Sequence, residues 1–120
     1  MKKISGLQKI ASQKWRTPIN DGIIEFRLIY RPAIQMWFID ITFNDFIVKG
    51  MRVCQSLNLL HQYKKLLPFG LFIYIADGVE PFLISDFSTE RVIIYILDDT
   101  EKDSIDSYYQ DRKEILELGE

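Results

Sequence analysis

The sequence is poor in the residues from which active sites are most often built. It contains one cysteine, Cys54, and one histidine, His61. A single thiol excludes an intrachain disulfide, so the fold is expected to hold by packing alone, as in a reducing compartment. A lone histidine with no Asp-His-Ser or His-Glu-x-x-His pattern around it provides neither a triad nor a metalloprotease centre. The six glycines stand singly at 6, 22, 50, 70, 78 and 119. They form no phosphate-cradling loop or dinucleotide fingerprint, and each reads as a turn or bulge. Long apolar runs are missing too, since Leu71 to Ala76 falls far short of the roughly 20 residues of a membrane-spanning helix. The opening Met1-Lys2-Lys3 is basic but has no apolar run behind it, which argues against a signal peptide and for synthesis in the cytoplasm. Strong net charge is also absent. At −2 over 120 residues, the whole molecule has no electrostatic pull toward nucleic acid.

What the sequence does hold is aromatic and β-branched. Eight Phe, six Tyr and two Trp make up 13% of a chain that is 48% hydrophobic, a composition suited to pleated, half-buried surfaces. The length suits one core. Ile24, Phe26, Leu28 and Tyr30 alternate with Glu25, Arg27, Ile29 and Arg31, the period of two that marks a strand with one buried face. Trp37, Ile39, Ile41 and Phe43 repeat the pattern over 36–43. Asn44-Asp45 is a turn signal, so 36–53 reads as a hairpin, and Gly50 marks a bulge in its returning strand. Further strands are expected at 71–76, 82–84 and 91–97. Residues 1–20 read as an extended arm or first strand that ends at Thr17-Pro18 and turns through Asn20-Asp21-Gly22. Ser56 to Lys65 has a helical look, with Ser56 or Asn58 as cap. The core is expected to be lined by Phe26, Leu28, Trp37, Ile39, Leu71 and Ile94, with Ile24, Tyr30, Ile41, Ile73, Val92 and Ile96.

The character changes at Asp98. Residues 98–120 carry a net charge of −6, against +4 for residues 1–97. Ile105, Tyr108, Tyr109, Arg112, Ile115, Leu116 and Leu118 recur near helical spacing, so 104–118 reads as an amphipathic helix. It either docks on a basic partner or packs back on its own domain. The run Asp98-Asp99-Thr100-Glu101-Lys102-Asp103 has the look of a calcium loop but lacks its central glycine and closing Glu, and reads as a solvated acidic linker. Cys54, at the end of an apolar strand, reads as a structural thiol. The basic arm (Lys2, Lys3, Lys9, Lys14 and Arg16) interleaves with Trp15, a combination that binds single-stranded nucleic acid in some small barrels. That makes a stand-alone β-barrel module for single-stranded nucleic acid or a peptide the alternative function. An unrecognised enzyme built on His61 or Cys54 comes third.

The order of elements from Ser12 to Leu97 resembles a known family. The features are Ser12-Gln13 near the end of the first strand, the alternating strand 23–30, and Met36-Trp37-Phe38-Ile39-Asp40-Ile41. They continue with the returning strand and its Gly50, Leu57-Asn58-Leu59-Leu60-His61-Gln62-Tyr63, Gly70-Leu71-Phe72-Ile73-Tyr74, the turn through Asp86-Phe87, and Arg91-Val92-Ile93-Ile94-Tyr95-Ile96-Leu97. In their joint order and spacing they are similar to the small baseplate plug proteins of contractile-tailed bacteriophages, first described in a cyanophage. The resemblance implies a non-enzymatic structural component of a virion tail baseplate. Its partners would be the hub and tail-tube proteins, with self-association as a further option and no membrane contact. It brings no catalytic, cofactor or metal residues with it. The expected fold is mostly β: a small antiparallel barrel or sandwich with one short helix near 57–65 and a C-terminal helical extension. Residues 1–97 would form the β domain with its N-terminal arm, and 98–120 the acidic extension.

Overall fold

A computed structural model describes residues 2–19, 22–63 and 65–105. The alternating segments form a four-stranded antiparallel meander of β2 (Ser12–Ile19), β3 (Gly22–Arg31), β4 (Met36–Phe43) and β5 (Phe46–Arg52), in that order across the sheet. A second, three-stranded sheet has the order β1 (Lys2–Lys3), β7 (Val92–Leu97), β6 (Gly70–Ile75). The sheets do not close into a barrel; of the two architectures expected, the molecule takes the sandwich. The segment read as one arm or strand supplies a strand to each sheet. β1 pairs with β7 through Lys2↔Ile96, and β2 pairs with β3 from Ser12↔Ile29 to Ile19↔Gly22.

The register explains which side chains enter the core. Trp15 lies opposite Phe26, Phe26 opposite Ile41, and Tyr30 opposite Trp37, so these residues share one face of the meander. Leu71, Ile73 and Ile75 of β6, with Val92, Ile94 and Ile96 of β7, face them from the other sheet in a single apolar cluster. Phe26, Leu28, Trp37, Ile39, Leu71 and Ile94 are all at most 2% exposed. Burying each such side chain is worth about 1.5–3 kcal/mol. The β4–β5 hairpin turns at Asn44, which takes φ 52°. The ladder slips between Ile39 and Ile41. There Gly50, at φ 70°, donates its N–H to the Asp40 carboxylate at 2.7 Å. This is the bulge expected at Gly50.

One expectation holds in shortened form and two need correction. The short helix expected over 57–65 contracts to one 3-10 turn, His61–Tyr63. The cause is Asn58, buried at 2% exposure. Its Oδ1 accepts from the N–H of Leu60 at 3.0 Å and of Leu71 at 3.1 Å, and Leu59 N–H donates to Leu71 C=O. The chain entering the turn is thereby tied to β6 instead of coiling. No strand forms at 82–84. The N–H groups of Phe82 and Leu83 are both taken by Asp86 Oδ2, at 2.7 and 2.8 Å, so they are lost to any ladder. The C-terminal helix begins at 99, not 104, and continues to 105, the last described residue; the rest of the expected 104–118 helix lies outside the described residues.

Candidate docking surfaces

The residues weighed as chemistry are accounted for locally. His61 opens the 3-10 turn, half-buried, its N–H donating to Asn58 C=O at 3.1 Å. Cys54 is half-buried, and burial together with the charge of Glu80 pushes its thiol up, against the opposing pull of Arg52. A raised thiol holds less thiolate and is a poorer nucleophile. The acidic run at 98–103 is a helix start. Glu101 N–H donates to Asp98 Oδ1 at 2.8 Å and Asp98 N–H to Glu101 Oε1 at 3.2 Å, a reciprocal capping box. Lys102, 6% exposed, then reaches back to donate to Leu67 C=O at 2.9 Å.

One end of the sandwich carries exposed apolar side chains on a tightly fixed segment. Val79, Phe82 and Leu83 are 51%, 38% and 42% exposed, and Ile34, in the β3–β4 turn, is 52% exposed. The segment is clamped onto that hairpin from below. Tyr30 donates its hydroxyl to Phe82 C=O at 2.7 Å, and Trp37 donates Nε1–H to Leu83 C=O at 2.9 Å. Phe87 packs edge-on against the Trp37 ring. From within, Asp86 and Arg91 hold the loop in shape. Arg91 forks onto both oxygens of Asp86, reaches Asp77 Oδ1 at 2.7 Å and Val79 C=O at 2.7 Å, and lies over the Phe82 ring. Burial alone would raise the Asp86 carboxyl, but the hydrogen bonds from Arg91, Leu83 and Phe82 outweigh it and leave the group below its usual range. The polar groups of Tyr30, Trp37, Asp86 and Arg91 that shape this end are thus turned to one another and to the loop backbone, which leaves Val79, Phe82 and Leu83 exposed beside Asp77 and Glu80.

A second surface is basic. Residues opposite the core face of the meander point outward, and the register aligns Lys14 with Arg27 and Asp40, and Arg16 with Glu25 and Thr42. With Arg31, Lys49 and Arg52, this face carries six exposed bases around two acids. Glu25 is bound to Arg16 at 2.6 Å and Asp40 is engaged by Gly50. Among the described residues, Lys14, Lys49 and Arg52 have no carboxylate partner. A groove of about 400 Å³ runs among Lys14, Arg16, Arg27 and Lys49. Its bases come from three strands, β2, β3 and β5. Trp15, expected to offer a stacking surface beside them, is instead turned inward and stacked on Phe26 at 5.1 Å. Phe38, which does lie on the outer face, is covered by the Arg31 guanidinium.

Comparison with known proteins gives one assignment. No curated protein matches the chain, but the family model described as "Cyanophage baseplate Pam3 plug gp18" matches residues 1–100. The chain belongs to this baseplate plug family. It is accordingly a structural component of a phage baseplate, in the tail of the virion. The matched stretch takes in both sheets, the apolar end and the basic face, and it stops at Thr100 inside the first turn of the helix. Most of the acidic segment falls beyond it.

Proposed function

We propose that this member of the baseplate plug family is a non-enzymatic building block that docks beside the hub and tail tube of a contractile tail. Its apolar end is the contact surface. The observation that carries this reading is the contrast within the 76–90 loop: the Arg91–Asp86 ion pair and four hydrogen bonds from Tyr30, Trp37, Phe82 and Leu83 fix the loop, while Val79, Phe82 and Leu83 are exposed. A rigid apolar surface binds without the entropy cost of ordering a loop. The basic N-terminal arm, which borders a cleft of about 540 Å³ between β1 and β2, is a second point of attachment. In this reading the protein is made in the host cytoplasm and incorporated during tail assembly.

The test is incorporation. Leu83→Glu and Val79→Glu place a charge on exposed positions, so the purified protein is expected to keep its thermal midpoint. Tails assembled with either variant in place of the parent chain are expected to lack the protein or to stall before completion. Normal tails containing the variant in parental amounts would show that this end is not a contact.

A further inference from the structure

We propose that the basic outer face of the β2–β5 sheet binds the acidic segment that follows Leu97 in a second copy of this chain, linking copies head to tail. The surface and the segment are complementary in two respects. The face offers Lys14, Arg16, Arg27, Arg31, Lys49 and Arg52 against only Glu25 and Asp40, and both acids are already engaged. Residues 98–120 carry a net charge of −6, and of their described acids Asp98, Asp99 and Asp103 are exposed. The match is also apolar. Ile23 and Ile47, 54% and 59% exposed, stand among the bases, and the segment intersperses its acids with Ile105, Tyr108, Tyr109, Ile115 and Leu116.

Geometry favours a neighbour's face over the chain's own. The helix is tied at its first turn to the body by Lys102 on Leu67 C=O, on the core side of the meander. The basic face is on the opposite side of the same sheet, so a segment reaching its own face must turn round a sheet edge. A neighbour's face needs no such turn. Nucleic acid fits less well, because Arg31 covers Phe38 and Trp15 is turned inward, so the face offers no free ring for base stacking. A contact between two different surfaces of identical chains is heterologous, and it builds rings or open chains according to its rotation. The contact does not depend on which baseplate proteins the apolar end meets, and it is measured on the purified chain.

The experiment pairs two full-length variants, each lacking one half of the contact. One reverses the face (Lys14→Glu with Lys49→Glu); the other neutralises the segment (Asp106→Asn, Asp111→Asn, Glu114→Gln and Glu117→Gln). Circular dichroism verifies that both stay folded, and sedimentation velocity reads association. The parent is expected to associate at low salt and to sediment as a monomer at high salt, since exposed charge pairs are screened. Each variant alone is expected to be monomeric at low salt, and their equimolar mixture to form a one-to-one dimer. A monomeric parent at low salt overturns the proposal, as does a mixture that stays monomeric, the result if the segment folds onto its own body. So does undiminished association of the segment-neutralised variant, whose folding is not in question. A fluorescent single-stranded oligonucleotide retained by the parent and released by the face-reversed variant would give the face to nucleic acid instead.

Discussion

Arg91 grips Asp86 in a two-pronged ion pair, with Nε 2.8 Å from Oδ1 and Nη2 2.9 Å from Oδ2. The carboxylate is almost fully buried, at 1% side-chain exposure, and the guanidinium at 16%. Because Asp86 also holds the Phe82 and Leu83 N–H groups, this pair decides whether the apolar end has a defined shape.

Removing one partner leaves the other uncompensated. Breaking a buried pair costs about 3–5 kcal/mol, and Asp86→Ala should fall at the lower end because Arg91 retains some access to water. Arg91→Lys keeps the charge but loses the fork, so it too should destabilise. Urea denaturation of the two variants against the parent measures both. An Asp86→Ala midpoint equal to the parent's would mean that the loop is held by Tyr30 and Trp37 alone.

The same pair sets an acid limb. Asp86 titrates below its ordinary value when folded, so its contribution is complete above the unfolded pKa, about 3.9, and is lost as pH falls through the lower folded value. Asp77, held down by Val79 N–H and Arg91, acts in the same direction from the surface. Stability should therefore be insensitive to these groups from neutrality to about pH 5 and decline below about pH 4. In Asp86→Asn the protein should be weaker at neutral pH and its acid limb shallower. Thermal midpoints across that range check this, and parallel curves would refute it.

Trp37 does two jobs that different substitutions separate. Trp37→Ala opens a cavity in the centre of the core and should cost about 3–5 kcal/mol. Trp37→Phe keeps most of the ring and loses the Nε1–H bond to Leu83, worth about 1 kcal/mol. Tyr30→Phe should cost a similar amount through Phe82. Because both bonds anchor one loop, the Tyr30→Phe/Trp37→Phe double variant should depart from additivity. Equilibrium unfolding of the four proteins gives the coupling, and strict additivity would show that Phe82 and Leu83 are held independently.

Two glycines should fail as alanine for opposite reasons. At Gly50 a Cβ meets nothing within 4 Å, but φ is 70°, so Gly50→Ala should cost about 1–2 kcal/mol in backbone strain. At Gly70 the space is the obstacle, since a Cβ would lie 2.7 Å from Asn58 Oδ1. Asn58 is pinned by two N–H donors, so Gly70→Ala should cost about 1–3 kcal/mol by overpacking. Adding Asn58→Ala should relieve part of the Gly70→Ala penalty and none of the Gly50→Ala penalty, which a pair of double variants tests.

The strands that can be read from one segment were the legible part of this fold. Ile24 to Tyr30 and Trp37 to Phe43 alternate strongly enough to announce β3 and β4, and Asn44 and Gly50 mark the turn and the bulge between β4 and β5. Barrel or sandwich was not legible, because closure depends on how β1 and β7 pair across almost the whole sequence. Phe82-Leu83-Ile84 has strand composition, yet one carboxylate four residues on captures its N–H groups. Asn58 looked like a helix cap and is one for a single turn, because β6 claims its side chain as well. The basic face was hidden for the same reason. Lys14, Arg27 and Lys49 have no proximity in sequence and meet only through the ladder register. Arg91 read as the first residue of a strand, and nothing local to it signals the fork onto Asp86.

The two-residue strand β1 has a mechanical consequence. Lys2 and Lys3 run antiparallel along Ile96 and Tyr95 at the border of β7, and Ile4 N–H adds a bond to Ile94 C=O at 2.9 Å. Tension entering the chain through Lys2 loads these bonds one at a time, like a zip, whereas tension along β7 itself must shear the full β6–β7 ladder from Gly70↔Leu97 to Ile75↔Val92. A modest pull on the arm peels β1 away and bares the β7 backbone along a sheet whose opposite flank stays sealed by the Ser56–Ile73 bridge.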